Sequence, residues 1–220
     1  MARRGLIRVR ERVAAAAARA GRDPGDVTIV AVTKGRGMAE IGDVYEFGHR
    51  DFGENRPEEL AAKAPHLPSD ARWHLVGPVQ RRKVEAAAPH THLLHSMDRA
   101  ALARRWAALD RPPPVLVQVN MAAEPQKHGV SPNAVADLVA LSSELGLAVR
   151  GLMAIPPLPA RPEDSRSWFV ALAELRDELA ARFPSVRELS MGMSDDFEVA
   201  VEVGASFIRV GRAIFDAEPA

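Results

Sequence analysis

Short apolar, β-branched segments alternate with longer segments of helical pattern along the whole 220-residue chain. Val27–Thr33 and Pro114–Asn120 are the clearest short segments, and both are almost continuously apolar. Such segments are typical of parallel strands that are buried on both faces. Helical segments between them suit the crossovers that join parallel strands. The alternation therefore predicts an α/β protein.

We predict eight strands and one leading helix, which ends near Gly21. The strands are placed at 27–33, 49–52, 72–76, 92–96, 114–120, 147–153, 186–190 and 206–210. Eight strand-then-helix units favour a single (β/α)8 TIM-type barrel with an extra N-terminal helix, forming one domain over residues 1–220. An open doubly wound sheet is the main alternative, but it normally has fewer strands. No G-x-G-x-x-G follows the first strand, which also disfavours that alternative.

Composition excludes several classes of function. Lys and Arg together number 29, as do Asp and Glu, so the net charge of zero gives no support for nucleic acid or a membrane surface as the main partner. The absence of cysteine excludes disulfides, thiolate catalysis and cysteine-ligated zinc. No other metal-ligand spacing stands out. The Arg- and Ala-rich N-terminus lacks a long apolar run, and we expect a cytoplasmic protein.

Polar residues at the ends of the predicted strands carry the functional argument, because chemistry in parallel barrels collects at the C-terminal ends of the strands. Lys34 directly follows the first strand, and Arg209 lies at the end of the last. A lysine at a barrel mouth can be desolvated, so that its free amine attacks an aldehyde. The alternative is an exposed lysine in a basic loop with Arg36, since lysines are mostly exposed.

Glycine and serine residues follow the seventh and eighth strands, where barrels of this type often bind phosphate. Ser194 comes just before a predicted helix at 195–203, and Gly211 follows the eighth strand. The Ser194 hydroxyl and nearby backbone N–H groups could hold a phosphate. Equally, Ser194 could simply be the N-cap of its helix. His74 lies inside the third strand, where a packed, hydrogen-bonded histidine is more common than a catalytic one.

Together these segments resemble the YggS/PROSC family of homeostasis proteins that bind pyridoxal 5'-phosphate (PLP), a family similar in fold to the N-terminal domain of alanine racemase. The matching stretches are Ala31-Val-Thr-Lys34, Phe52-Gly-Glu-Asn55, Trp73-His-Leu-Val-Gly77, His95-Ser-Met-Asp-Arg99, Val117-Gln-Val-Asn120, Lys127-His-Gly129, Gly151-Leu-Met153, Leu189-Ser-Met-Gly-Met-Ser194-Asp-Asp-Phe-Glu198 and Arg209-Val-Gly211-Arg-Ala-Ile-Phe215. They cover nearly the whole chain, and the Leu189–Ser194 block with Arg-x-Gly beyond it is the most specific.

The resemblance implies a PLP site and a role for each of its residues. Lys34 would form the internal aldimine, Ser194, Gly211 and the Arg212 backbone would hold the phosphate, Arg209 would face the pyridine nitrogen, Asn55 would lie near the ring, and Met191 and Ser190 would line the pocket. A cation at the pyridine nitrogen keeps that nitrogen unprotonated and weakens carbanion chemistry. The resemblance thus implies PLP homeostasis with little or no amino-acid turnover.

The chain departs from the family pattern in four places. Thr33 replaces the usual serine before the lysine, the loop after Lys34 lacks a proline, the 77–83 segment lacks a histidine and an asparagine, and Asp216 replaces a glycine. Two alternatives stay open: a PLP-dependent racemase or lyase with a minimal site, and a Schiff-base aldolase that uses no PLP. We expect a monomer whose partners, besides PLP, are PLP-dependent enzymes awaiting their cofactor.

Overall fold

Eight parallel strands close into a barrel in chain order in the computed structural model, which describes residues 1–124 and 126–216. The strands are β1 Thr28–Val32, β2 Asp51–Glu54, β3 Arg72–Leu75, β4 Leu93–Met97, β5 Val115–Val119, β6 Val149–Ala154, β7 Glu188–Ser190 and β8 Phe207–Val210. Each strand pairs with the next, and β8 pairs with β1. The prediction of a TIM-type barrel with a leading helix is confirmed. One domain over 1–220 stays a prediction, since residues 217–220 lie outside the described part.

Helices between the strands surround the barrel. In the described chain they are α1 Ala2–Arg19, α2 Met38–Glu46, α3 Pro57–Lys63, α4 Val84–Ala87, α5 Ala100–Ala107, α6 Val135–Glu144, α7 Arg166–Arg182, α8 Phe197–Val203 and α9 Arg212–Phe215. None of these helices has the length and apolar character that crossing a membrane would need.

The helix predicted over 80–88 is wrong in its detail. The chain there forms a 3₁₀ turn at Arg81–Lys83, the four-residue α4, and a second 3₁₀ turn at Ala88–His90. Pro89 has no backbone N–H to donate and its ring crowds the preceding turn, so an α-helix cannot run through this position. The segment is therefore shorter and more irregular than its pattern suggests.

Apolar side chains form two separate cores. The small one fills the barrel interior with Val30, Val76, Leu93, Leu116, Met153 and Phe207. The large one packs the outer faces of the strands against the helices. Polar and charged side chains share the interior with the small core: Asp51, His74, His95, Ser190 and Arg209 are all buried. The inside of this barrel is thus partly polar.

Helix α1 packs its apolar face against the end of the barrel wall. Leu6, Val9 and Val13 are buried at the spacing of one helix face. Gly5 permits the closest approach, because a Cβ at this position would lie 2.1 Å from the Ile214 carbonyl oxygen in α9. A side chain at residue 5 would therefore separate α1 from α9.

Gly5→Ala is expected to lower the free energy of unfolding by about 1–3 kcal/mol, since the added methyl group must displace backbone. Gly42→Ala is the matched control: Gly42 also lies inside a helix, but a Cβ there meets nothing within 4 Å. That variant should be more stable by about 0.5–1 kcal/mol. Urea unfolding of both variants checks this, and equal effects would refute the close-approach argument.

Candidate functional site

The loops after β1 and β8 adjoin at the C-terminal mouth of the barrel. Val30 pairs with Arg209 in the sheet, and a Cβ on Gly211 would lie 3.1 Å from the Val32 carbonyl oxygen. Arg36 forms an ion pair with Asp216, which ties the first loop to the end of α9. The barrel thus brings the Lys34 loop beside the glycine that follows β8, as the strand-end prediction requires.

Lys34 is exposed at this mouth, and none of the described hydrogen bonds or ion pairs engages its amine. The sequence argument expected a lysine removed from water, so the exposed alternative describes the structure better. The backbone just before it is held firmly. Lys63 donates to the Thr33 carbonyl oxygen at 2.8 Å, and the Thr33 hydroxyl donates to Glu54 at 2.6 Å. An accessible amine therefore sits on an anchored loop.

Arg209 is a buried cation at the same end of the barrel. Its Nη1 donates to the Ser190 hydroxyl at 2.7 Å, and its Nη2 donates to the Ala154 carbonyl oxygen at 3.0 Å. Burial lowers the pKa of Arg209 to about 10. The guanidinium therefore keeps its positive charge at neutral pH, and two neighbours fix its position.

Ser194 is not the N-cap of the helix that follows it, so that alternative is wrong. Helix α8 starts at Phe197 with Asp196 as its N-cap, and the Asp196 carboxylate accepts from the Met193 N–H at 2.7 Å. The Ser194 hydroxyl instead accepts from the Ala213 N–H at 3.3 Å, which turns it toward the loop after β8. The structure thus joins the two segments that were predicted to hold an anion.

Gly192 shapes the loop between Ser190 and Ser194. Its φ is +88°, and a Cβ there would lie 2.5 Å from the Ala200 side chain. Both the left-handed backbone and the lack of space require glycine at this position. The tight loop is what allows Ser190 to face the barrel interior while Ser194 faces the β8 loop.

The remaining predicted site residues are spread around the mouth. Asn55 follows β2, is half-buried, and lines a cavity of about 380 Å³ with Gln80 and Lys83. Met191 is fully buried in the large core, so its side chain does not line an open pocket. The Arg212 side chain is exposed and pairs with Asp195, which leaves only its backbone near Ser194.

Sequence reasoning missed two polar residues inside the barrel. His74 is buried and hydrogen-bonded, as predicted, but its partners are His95 and Asp51. Asp51 was not singled out, and His95 was noted only within a family motif. A polar residue at an inward position of a buried strand was the available signal. Which inward residues touch each other depends on the closed barrel.

His49 lies near Asp51 at the opposite, N-terminal end of the barrel. Burial lowers its pKa from 6.5 to about 4. The unfolded chain therefore takes up a proton below about pH 6.5 that the folded protein takes up only near pH 4, so acid removes stability across this window. Going from about pH 7 to about pH 5 should cost about 2 kcal/mol through His49 alone.

Urea unfolding at the two pH values tests the effect of His49. His49→Gln keeps a donor for the Asp51 carbonyl oxygen and should reduce the pH-dependent loss by about 2 kcal/mol. The exposed His66 provides the control, His66→Gln. An unchanged pH dependence in His49→Gln would contradict the assignment.

Comparison with known proteins identifies relatives over nearly the full length. The family model described as the N-terminal domain of alanine racemase matches residues 6–219. The pyridoxal phosphate homeostasis protein of Escherichia coli is 37% identical over an alignment of 226 residues, which covers 96% of this chain and 94% of that protein. The protein of the same name from Aquifex aeolicus is 39% identical, with 96% and 95% covered.

Solved structures agree with these matches. PipY of Synechococcus elongatus, determined with PLP bound, superposes with a TM-score of 0.79 at 35% identity, covering 94% of this chain and 99% of PipY. A protein of unknown function from Bifidobacterium adolescentis gives a TM-score of 0.90 at 33% identity, covering 96% and 93%. Lysine/ornithine decarboxylase of Vibrio vulnificus, with a TM-score of 0.70, 15% identity and coverage of 86% and 57%, shares the fold alone.

Proposed function

This chain belongs to the family of the alanine racemase N-terminal domain, together with the pyridoxal phosphate homeostasis proteins, and from that premise we propose that it binds PLP and serves PLP homeostasis. The observation that carries the proposal is the meeting of three features at one barrel mouth. They are the Lys34 amine, the Arg209 cation, and the joined loops of Ser194 and Gly211.

The residues present suit PLP. Its phosphate needs close backbone approach and donors, which the tight Gly192 loop, the Ser194 hydroxyl and the backbone from Gly211 to Arg212 offer. The Arg209 cation lies inside the mouth, where it would face the ring nitrogen. Asn55 would lie beside the ring, and Ser190 and Met191 would support the pocket. Every assignment follows from the residue's place at the strand ends and from the family pattern.

Lys34 supplies the amine for covalent attachment. When bound, PLP offers an aldehyde with which a neutral amine condenses, releasing one water. The exposed Lys34 exchanges protons with solvent directly, so no buried base is required to deprotonate it. The hydrogen bonds around Thr33 keep the loop anchored while the amine stays free to reach the aldehyde.

Arg209 limits the reactions that the site can support. The guanidinium stays protonated at neutral pH, so a ring nitrogen facing it stays unprotonated and withdraws electrons poorly. This favours holding the cofactor over stabilising carbanions on a bound amino acid.

A second acid/base group for racemisation is missing from the mouth. The chain has one tyrosine, Tyr45, and its hydroxyl donates to Asp70, which precedes β3 at the opposite end of the barrel. A racemase needs proton donors on both faces of its substrate. We therefore predict little or no racemisation of alanine by the PLP-loaded protein, measured by exchange of the Cα hydrogen in D2O beside an alanine racemase as positive control. Turnover comparable to that control would favour the minimal-racemase alternative.

Purified protein with added PLP tests the proposed site directly. A visible absorption band that borohydride fixes to one lysine, identified by peptide mass mapping, is the expected result. Free loss of PLP, together with trapping of a phosphorylated sugar aldehyde or ketone by borohydride, would favour the PLP-free aldolase. Loss of PLP with no trapping would leave the barrel without its proposed ligand and refute the proposal.

A homeostatic role requires that the cofactor can leave. We propose that the protein acts as a cytoplasmic monomer that supplies PLP to PLP-dependent enzymes. Loaded protein mixed with a cofactor-free PLP enzyme should restore its activity at a rate above that of spontaneous PLP release. An equal rate would mean that this chain stores PLP without delivering it. Light scattering at increasing concentration checks the monomer.

A further inference from the structure

Five buried side chains form one continuous hydrogen-bonded series through the barrel interior, here called the interior chain. Arg209 donates to Ser190 at 2.7 Å, and Ser190 lies 2.7 Å from His95 Nδ1. His95 Nε2 lies 2.9 Å from His74 Nδ1, and His74 Nε2 lies 3.1 Å from the Asp51 carboxylate. None of the five is more than 7% exposed.

The interior chain runs from one end of the barrel to the other. Arg209 lies near the end of β8 and belongs to the proposed PLP site. Asp51 is the first residue of β2, and Arg72, the first residue of β3, donates to its carboxylate at 2.7 and 2.5 Å. Phe207 packs against both imidazole rings, at 5.8 Å from His74 and 5.3 Å from His95. The series is therefore sealed from water along its length.

The two ends fix the direction of every hydrogen bond. A guanidinium can only donate, and a carboxylate can only accept. Ser190 accepts from Arg209, so its own proton goes to His95 Nδ1. His95 must then carry its proton on Nε2 and donate to His74 Nδ1, and His74 must donate from Nε2 to Asp51. Both histidines are thus neutral and protonated at Nε2.

The electrostatic environment agrees with neutral rings. Burial lowers the pKa of His74, and burial together with the nearby His74 lowers the pKa of His95 further. Burial alone would raise the pKa of Asp51, but the hydrogen bonds from Arg72 and His74 outweigh it and hold the carboxyl well below its usual range. The groups whose charge acts on the two rings are Asp51, Arg72, His92, Arg150 and Arg209.

We propose that His95 and His74 are positioning residues for the PLP site, which act through Ser190 to hold the Arg209 guanidinium in one orientation. The inference rests on the proposed function, because it assigns Arg209 to the ring nitrogen. Without an acceptor at His95, the Ser190 hydroxyl can turn its proton elsewhere. Arg209 then retains the Ala154 carbonyl as its only described hydrogen-bond partner and can rotate away from the ring.

NMR of the cofactor-free protein with 15N-labelled histidine tests the direction of the interior chain without PLP. The expected result is that His74 and His95 are both neutral and carry their protons on Nε2. A proton on Nδ1, or a charged imidazolium at neutral pH, would overturn the proposed direction. This measurement on the wild-type protein stands even if a variant fails to fold.

Three variants test the positioning role. His95→Leu breaks the interior chain, whereas His95→Gln keeps one acceptor and one donor in its place. His92→Leu is the matched control, because its ring contacts His74 at 5.6 Å but the described hydrogen bonds of the chain do not include it. Rotation of the Arg209 guanidinium, followed by 15N-arginine NMR without PLP, should be faster in His95→Leu alone.

The same variants also give a cofactor readout. His95→Leu should bind PLP about tenfold more weakly and shift the absorption of the bound cofactor, and His95→Gln should recover most of both effects. Wild-type rotation, affinity and spectrum in a folded His95→Leu would overturn the proposal. Binding of no PLP by the wild type would defeat the proposed function and the role toward PLP together, whereas unchanged Arg209 rotation beside normal PLP binding defeats the positioning role alone.

Discussion

Replacing Lys34 with alanine is expected to abolish borohydride-stable attachment of PLP, with a loss of at least about a hundredfold in the trapped fraction. The amine is the only part of the site that can condense with the cofactor's aldehyde, and the other contacts bind without a covalent bond. Absorption spectra and intact mass after reduction measure the loss. Weak binding through the phosphate loops should remain, because Ser194, Gly192 and Gly211 are unchanged.

The small number of lysines makes this experiment well controlled. The chain has four: Lys34, Lys63, Lys83 and Lys127. Lys127→Ala removes a partly exposed lysine that pairs with Glu124, and it should trap PLP like the wild type. Trapping of equal yield in Lys34→Ala would show that another amine carries the cofactor and would remove the basis of the proposed site.

Lys63→Met is expected to destabilise the protein by about 3–5 kcal/mol. Lys63 donates to Glu54 at 2.5 Å, and Glu54 is completely buried with one carboxylate oxygen that has no hydrogen-bond partner. Removing the ammonium leaves a buried charge that only the Thr33 hydroxyl and residual dipoles can compensate. The backbone before Lys34 also loses its hydrogen bond from Lys63.

A double variant separates the charge from the packing. Lys63→Met combined with Glu54→Gln removes both charges and should recover much of the lost free energy of unfolding. Lys83→Met is the matched surface control, since its partner Glu58 is exposed, and its effect should be small. A loss in Lys63→Met no larger than in Lys83→Met, measured by urea unfolding, would contradict the buried ion pair.

Much of the fold could be predicted because each strand is buried on both faces. Val27–Thr33 and Pro114–Asn120 contain the observed β1 and β5 with one or two extra residues at each end. The 80–88 segment was mispredicted because its helical pattern continues past Pro89, and hydrophobic pattern alone does not register the missing N–H and the steric clash. Strand β2 began two residues later than predicted, since a short strand is fixed by its neighbours' hydrogen bonds.

The candidate site was predicted residue by residue but not in its contacts. The position of Lys34 after β1 and of Arg209 in β8 followed from the order of strands. The exposure of Lys34, the turn of Ser194 toward Ala213, and the burial of Met191 did not. Each of these depends on how a loop of a few residues packs against another loop far away in the chain.

The sequence by itself determined the barrel, its leading helix and the mouth at which the chemistry-bearing residues collect. These are consequences of local periodicity and of strand order, which a linear sequence contains. Only the tertiary structure decided which polar residues meet inside the barrel. Asp51, His74, His95 and Ser190 lie on four different strands, and a hydrogen bond between His95 and Ser190 joins residues 95 positions apart. Closure of the sheet sets these distances, so no local pattern could have specified them.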